Sequence, residues 1–210
     1  MTLDPTIAVA LRVGFALLFF SAAVSKLDAA RFRAVLEAYR LLPASLSGVT
    51  ARLLLALELS LALGWALAAL AALAASMPGL PQELPQELSY GLLQELPQLT
   101  ALATVLLLAL YTAAIVINLW RGRRQIDCGC GFARSGQQLS WGLVLRNLVL
   151  MIIAFSGSLN LMARSLGLFD YFIVLLAVFV GAFLFAALNQ LLVNHNEMAI
   201  WRTGSTEARL

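Results

Sequence analysis

The sequence predicts an all-α integral membrane protein, a helical bundle of about five transmembrane helices with one interfacial amphipathic helix. Of its 210 residues, 61% are hydrophobic and 12% are charged, whereas soluble domains are about 45–50% apolar and about 25% charged. The net charge of +3 is small, and the basic residues lie mostly at the ends of long apolar runs. This distribution is typical of membrane flanks and excludes a nucleic-acid-binding surface.

Five apolar runs define the predicted spans of a single membrane domain covering residues 1–210. The runs cover about 7–24, 49–75, 100–120, 141–159 and 168–193, and a helical span needs about 20 such residues. Between the first two, residues 27–42 carry apolar side chains at helical spacing among basic ones. This pattern predicts a short amphipathic helix in the membrane interface, ended by Pro43. Residues 76–99 repeat Pro, Gln, Glu and Leu, which indicates a low-complexity linker.

The chain has only two cysteines, Cys128 and Cys130, in a Gly-rich polar loop beside arginines. Two alternatives to a redox role remain. In the first the cysteines are incidental, although stray cysteines usually lie buried in apolar faces. In the second they bind a metal, although a closed metal site needs three or four ligands. A Cys-x-Cys disulfide closes a very small ring, and strained disulfides are the oxidising ones. Gly129 and Gly131 allow such a turn, and the arginines favour thiolate by lowering the thiol pKa. The pattern therefore favours a redox dithiol.

Charged residues also lie inside predicted spans, notably Glu58 in the second and Arg146 in the fourth. An ionised side chain in the bilayer is costly and indicates a partner or a function. Counted from the side of the cysteines, the two lie ~13 Å and ~9 Å deep at 1.5 Å per residue, which predicts an ion pair. Such a pair either fixes helix register or has a function. The functional alternatives are a proton path during thiol oxidation and a polar site for a bound head group, flanked by Trp141 and Phe132. Lys26, at the end of the first span, is expected to snorkel to the head groups.

The motifs around the cysteines resemble those of a known family of membrane proteins. They are Asp127-Cys128-Gly129-Cys130, Ser140-Trp141, with Ser140 as the predicted N-cap of the fourth span, and Leu145-Arg146-Asn147-Leu148. Together with Ser25-Lys26-Leu27, Tyr39, Pro43 and Glu58, they are similar to the MauE family of methylamine utilisation, within the wider DoxX-like group. The resemblance covers roughly residues 7–160. The order Gly131-Phe132 departs from the Phe-Gly order of that family, and the linker is an insertion relative to it.

The resemblance implies a role in maturing methylamine dehydrogenase, whose small subunit carries a tryptophan tryptophylquinone and many disulfides. It implies that Cys128 and Cys130 cycle between dithiol and disulfide, with the thioredoxin-like protein MauD as a partner. The arrangement is also similar to that of vitamin K epoxide reductase and the DsbB-type oxidases. This similarity makes a quinone the expected electron acceptor, with Arg146, Glu58, Trp141 and Phe132 as its candidate site. The alternatives are a non-enzymatic membrane scaffold for the maturation complex and a thiolate metal-binding membrane protein.

Charge and resemblance predict opposite orientations in the bacterial inner membrane. The side with the cysteines carries Lys26, Arg31, Arg33, Arg40, Arg121, Arg123, Arg124 and Arg134, and the opposite loops carry Arg164 with Glu83, Glu87 and Glu95. The positive-inside rule then places the cysteines in the cytoplasm. The resemblance requires a periplasmic substrate, and a reducing compartment disfavours a dithiol oxidase. We therefore expect the dithiol to face the periplasm, where the basic surface docks an acidic partner.

Overall fold

A computed structural model of the chain describes residues 2–76, 94–129, 137–162 and 164–207, with side-chain surroundings up to residue 194. Within these ranges the fold is all-α, as predicted, with a minor pair of two-residue strands. The elements are β1 (Thr2–Leu3), α1 (Pro5–Ser25), α2 (Ala29–Tyr39), α3 (Ala44–Ser76), α4 (Leu96–Trp120), α5 (Trp141–Ser156), β2 (Asn160–Leu161) and α6 (Leu168–Glu207). Cys130, Phe132, Arg134 and most of the predicted linker lie outside the described residues.

Four of the five predicted spans are long and apolar enough to cross a membrane. They are α1, α3, α4 and the Leu168–Asn194 part of α6. The remaining one, α5, has 16 residues and is ~24 Å long at 1.5 Å per residue, less than the ~30 Å hydrocarbon core. It ends at Ser156 and not at residue 159, because the chain turns there to pair β2 in parallel with β1. The chain is thus an all-α integral membrane protein, and α5 is the one short helix among the five predicted spans.

The amphipathic segment does form a helix, but its end differs from the prediction. α2 ends at Tyr39 because Arg40 adopts the left-handed conformation, with a φ of 48°. Pro43 therefore does not end this helix. It stands directly before α3, where its carbonyl accepts the N–H of Leu46 at 3.0 Å. α2 packs against α3, so it lies across one end of the bundle.

The centre of the bundle is organised around Trp65 of α3, which is fully buried. Its ring stacks on Phe15 of α1 with 5.2 Å between centroids, and its Nε1 donates to Thr104 Oγ1 of α4 at 3.0 Å. A Cβ added at Gly157, which follows α5, would lie 3.2 Å from the Trp65 ring. Trp65 therefore joins four segments, and Gly157 permits the close approach.

The two ends of the bundle differ in what they carry. The end that holds α2 and the loop with Cys128 is called here the dithiol end. The opposite end, called the distal end, holds the β1–β2 pair, and Arg164 there forms ion pairs with Asp4 and Asp170. Because α1 and α3 are the most extensively packed helices, they set the position of the residues beneath the dithiol end.

Candidate functional site

Antiparallel backbone pairing joins the two arms of the loop that carries Cys128. The N–H of Cys128 donates to the Gln137 carbonyl at 2.8 Å, and the N–H of Leu139 donates to the Ile126 carbonyl at 3.2 Å. These bonds flank a single antiparallel bridge. The two arms are thus fixed to each other close to the start of α5, which orients Cys128 relative to that helix.

Cys128 is buried, with 6% of its surface exposed, although its polar loop suggested an exposed position. It belongs to an apolar cluster whose other buried members are Tyr39, Ile115, Leu119, Ile126, Leu139 and Leu143. The Tyr39 hydroxyl of α2 donates to the Cys128 carbonyl at 3.4 Å. α2 therefore covers Cys128, so exchange with a protein partner at this sulfur requires α2 or the loop to move.

Gly129 adopts a conformation that favours glycine, as the sequence predicts. Its φ is +71°, and an added Cβ would lie 3.0 Å from Val35 Cγ1 and 3.6 Å from Phe32 Cε2, both on α2. The positive φ disfavours any side chain, and the close approach lets α2 rest on the loop. Gly129 thus permits both the turn of the loop and the close approach of α2 that covers it.

We expect Gly129→Ala to lower the free energy of unfolding by about 1–2 kcal/mol and to raise the rate at which a maleimide labels Cys128. The added methyl strains the turn and pushes Val35 and α2 outward. Gly122→Ala is the matched control, because Gly122 has a φ of +72° and the described residues place no neighbouring atom within 4 Å of its Cβ position. It should cost stability without exposing Cys128. Equal labelling rates in the two variants would contradict the contact with α2.

The predicted ion pair between Glu58 and Arg146 is wrong. Glu58 Oε1 instead accepts hydrogen bonds from Lys26 Nζ at 2.8 Å and from the Tyr111 hydroxyl at 2.8 Å. Lys26 does not snorkel to the head groups: its side chain is 2% exposed and also donates to the Ala22 carbonyl one turn back. The physical reason is that tight packing of α1 on α3 places the end of α1 beside Glu58.

Arg146 lies in a separate polar cluster and is also buried. Its Nη1 donates to Asn189 Oδ1 of α6 at 2.7 Å, and its Nη2 donates to Asn147 Oδ1 at 3.2 Å. The guanidinium carbon lies 5.6 Å from the Phe185 ring centroid. Among the described residues, no carboxylate forms an ion pair with Arg146. Neutral amides and a ring therefore hold this charge and link α5 to α6.

The other predicted residues of the site are placed as follows. Trp141 begins α5 at the dithiol end and is half exposed, in line with an interfacial position. Ser140 occupies the predicted N-cap position in extended conformation, but its side chain makes no capping hydrogen bond. Cys130 and Phe132 lie outside the described residues. The structure therefore brings Glu58 together with Lys26 and not with Arg146.

Two buried polar contacts, one in the site and one remote from it, were missed by sequence reasoning. Tyr111 lies nine residues before the end of α4, at the same ~13 Å depth as Glu58 by the rise of 1.5 Å per residue, so depth counting applied to it would have indicated the contact. Arg12 is fully buried within α1, where it donates to the carbonyls of Ala68 at 3.1 Å and Gly157 at 3.4 Å. No acidic residue signals such a carbonyl-bound arginine in the sequence.

A second attachment holds α2 to α3 at the surface of the dithiol end. Glu37 accepts hydrogen bonds from Ser47 Oγ at 2.8 Å and from Arg33 Nε at 2.9 Å. These bonds, first that of Ser47 and then that of Arg33, hold the pKa of Glu37 below its usual value. Because the folded-state pKa is lowered, the attachment is present above the unfolded pKa and is lost as pH falls through the folded one. It is intact at neutral pH.

These features define a class: a helical membrane protein whose cysteine loop is covered by an interfacial helix and underlain by a buried ion pair. The family model described as methylamine utilisation protein MauE matches residues 4–160. The chain belongs to this family, which confirms the resemblance seen in its motifs.

Curated relatives match most of the chain. The MauE of Paracoccus denitrificans is 36% identical over 162 residues, covering 77% of this chain and 73% of the relative. The MauE of Paracoccus versutus is 39% identical over 165 residues, covering 78% and 75%. The MauE of Methylorubrum extorquens is 37% identical over 169 residues, covering 80% and 77%. No solved structure matches the chain.

Proposed function

We propose that this MauE-family protein is a membrane thiol–disulfide oxidoreductase of methylamine utilisation. Cys128 and Cys130 promote disulfide formation in the small subunit of methylamine dehydrogenase, together with a thioredoxin-like MauD protein. The observation that carries the proposal is the position of Cys128. It lies in a turn fixed by backbone bonds, next to a glycine in the left-handed conformation, with a second cysteine one residue further along.

The exchange is balanced between the dithiol and its partner. A partner thiolate attacks one sulfur of the Cys128–Cys130 disulfide, and a mixed disulfide forms while the other cysteine leaves as thiolate. A second partner thiolate then attacks the mixed disulfide, so the partner is oxidised and the cysteines are left reduced. Two electrons and two protons must leave the dithiol before the next turnover.

A quinone in the bilayer is the proposed acceptor of these electrons. The residues present fit its head group at Arg146, because this buried guanidinium has only neutral acceptors among the described residues. Its charge is therefore available to a carbonyl oxygen. Trp141, half exposed at the start of the same helix, would flank the ring. Glu58 belongs to the Lys26 cluster and is left out of this proposed site.

The test is replacement of each cysteine separately. We expect Cys128→Ser and Cys130→Ser each to reduce the yield of disulfide-bonded, active methylamine dehydrogenase to the level of a strain lacking this protein. The reason is that neither serine can form the disulfide. Equal amounts of each variant in the membrane fraction are the control. A non-enzymatic scaffold keeps its activity after these substitutions, and that outcome would refute the oxidoreductase.

The same strains test the proposed periplasmic orientation. Exposed arginines at the dithiol end, namely Arg31, Arg33, Arg40, Arg121 and Arg124, argue for the cytoplasm by the positive-inside rule. A membrane-impermeant maleimide should nevertheless label intact cells after reduction and not before it. The Cys128→Ser/Cys130→Ser double variant is the control, because the chain then has no thiol. Labelling only after lysis would place the dithiol inside and overturn a periplasmic oxidase.

A further inference from the structure

A charged pair lies buried directly beneath the dithiol end. The side chains of Lys26 and Glu58 are 2% and 1% exposed, and taking two charges out of water costs several kcal/mol per ion. A lysine at the end of a span ordinarily extends its ammonium outward to water. Here the side chain folds back along α1 to reach Glu58 and the Ala22 carbonyl. The pair therefore occupies a costly position that a purely apolar contact could fill.

The carboxylate of Glu58 is satisfied on one side only. Lys26 Nζ and the Tyr111 hydroxyl both donate to Oε1, whereas Oε2 is fully buried without a hydrogen-bond partner in the described part of the chain. An ionised carboxylate oxygen without a donor is costly in a low-dielectric interior, and a proton relieves that cost. Oε2 is therefore an empty acceptor, and protonation is the simplest event that satisfies it.

One aromatic ring connects this cluster to the dithiol loop. Lys26 Nζ lies 5.2 Å from the centroid of the Phe32 ring of α2. Atoms Cε2 and Cδ2 of that ring lie 3.6 Å and 3.8 Å from the Cβ position of Gly129, the residue between the two cysteines. A cation over an aromatic face interacts with the ring quadrupole. The ammonium and the dithiol turn are thus separated by a single ring.

We propose that Lys26, Glu58 and Tyr111 form a proton-accepting site coupled to the dithiol, in which Glu58 takes up a proton when a cysteine becomes thiolate. In this step the S–H bond breaks, the sulfur keeps the electron pair, and an O–H bond forms at Glu58 Oε2. No electrons are transferred, and no co-reactant is consumed. The inference deepens the proposed function and rests on it, because it assigns the destination of a proton that thiol oxidation must release.

The charges favour this coupling. While Glu58 is ionised it neutralises Lys26, and the dithiol then faces a pair with no net charge. Once Glu58 is protonated, the ammonium of Lys26 becomes the counterion of the thiolate across the Phe32 ring, so the site as a whole gains no charge. An opposite charge nearby stabilises a thiolate, and the effect is strong where water is excluded. Lys26 and Tyr111 are the ionisable groups hydrogen-bonded to Glu58 in the described residues.

The test measures how Cys128 reacts with iodoacetamide as a function of pH. The purified full-length Cys130→Ser chain supplies a single thiol. Glutamine mimics a protonated carboxyl group, so Glu58→Gln should raise the alkylation rate at neutral pH about tenfold, equivalent to a downward shift of the midpoint by about one pH unit. Lys26→Met removes the counterion and should lower the rate by about the same factor. Altered access to the buried sulfur changes the plateau rate, whereas altered ionisation moves the midpoint.

Arg12→Met is the matched control, because it removes another buried cation ~21 Å away along α1 at 1.5 Å per residue. Its midpoint should equal that of the parent chain. Midpoint shifts of opposite sign in Glu58→Gln and Lys26→Met support the proposal, whereas shifts of the same sign, or none, in folded variants overturn it. If neither single variant folds, the Lys26→Met/Glu58→Gln double variant decides. A raised midpoint supports the coupling, and an unchanged midpoint overturns it.

The two proposals fail separately. Alkylation needs no partner, oxidant or maturation, so the midpoints report on the charge site even if the cysteine variants mature the dehydrogenase normally. The opposite combination is also informative. If the cysteine variants lose maturation but the alkylation midpoints do not shift, the oxidoreductase proposal is supported and Glu58 is not its proton acceptor.

Discussion

Lys26→Met is expected to lower the free energy of unfolding by about 3–5 kcal/mol, because Glu58 would be left as a buried charge without its counterion. Glu58→Gln should cost less. Lys26 keeps the Ala22 carbonyl and lies near the rings of Phe32 and Tyr111, so its charge remains partly compensated. The Lys26→Met/Glu58→Gln double variant should recover most of the loss, because its two neutral side chains remove the cost of burying charge.

Unfolding of the purified protein by denaturant or heat measures this cycle. Arg33→Met is the matched control, because Arg33 and Glu37 form an ion pair of nearly the same length at the surface. Their atoms are 2.9 Å apart, against 2.8 Å for Lys26 and Glu58, and their side chains are 55% and 40% exposed. Exposed pairs of this kind contribute little to stability, because water and salt screen their charges. A double variant as unstable as Lys26→Met would show that packing of these side chains, and not their charge, stabilises the bundle.

The second large effect is expected in the apolar core of the bundle. Trp65→Ala should destabilise the fold by about 3–5 kcal/mol, because Trp65 is fully buried and contacts Phe15 of α1, Thr104 of α4 and Gly157 after α5. Removing the indole leaves a cavity among segments that are held apart by their own packing, so the site collapses only partly. Loss of the indole hydrogen bond adds to this cost.

Two variants separate the parts of that effect. Trp120→Ala is the matched control, because Trp120 is 77% exposed at the end of α4 and should change stability by no more than about 0.5 kcal/mol. Thr104→Val removes the acceptor for the indole N–H while keeping similar volume, and about 1 kcal/mol is expected. Unfolding midpoints that do not distinguish Trp65→Ala from Trp120→Ala would contradict a core centred on Trp65.

Trp65 and Lys26 lie in two successive layers of the bundle that support the candidate site. Around Trp65 the bundle is apolar and closely packed, and toward the dithiol end it gives way to the cluster of Lys26, Glu58 and Tyr111. Above that cluster lies Phe32 of α2, and above Phe32 the turn at Gly129. The chemistry proposed for the cysteines therefore takes place on a support whose charges and rings are positioned by α1, α3 and α4.

Local composition and pattern by themselves determined the class of fold, most helix positions and the nature of the turn at the cysteines. Apolar runs of sufficient length must form helices in a bilayer, where every backbone polar group needs an internal partner. The need for glycine at position 129 is equally local, because it depends on the φ of one residue. The motifs around Cys128 also sufficed for the family.

Only the tertiary structure decided which polar groups meet and what covers Cys128. Sequence spacing reports depth along a helix axis, and depth alone does not decide whether Glu58 meets Arg146 or Tyr111, because both lie within ~5 Å of its own depth. Which helices are neighbours depends on how whole faces pack, and the packing of α1 on α3 brought Lys26 inward to Glu58 while Arg146 turned to Asn189. The burial of Cys128 beneath Tyr39 likewise joins residues 89 positions apart, a contact that no local pattern encodes.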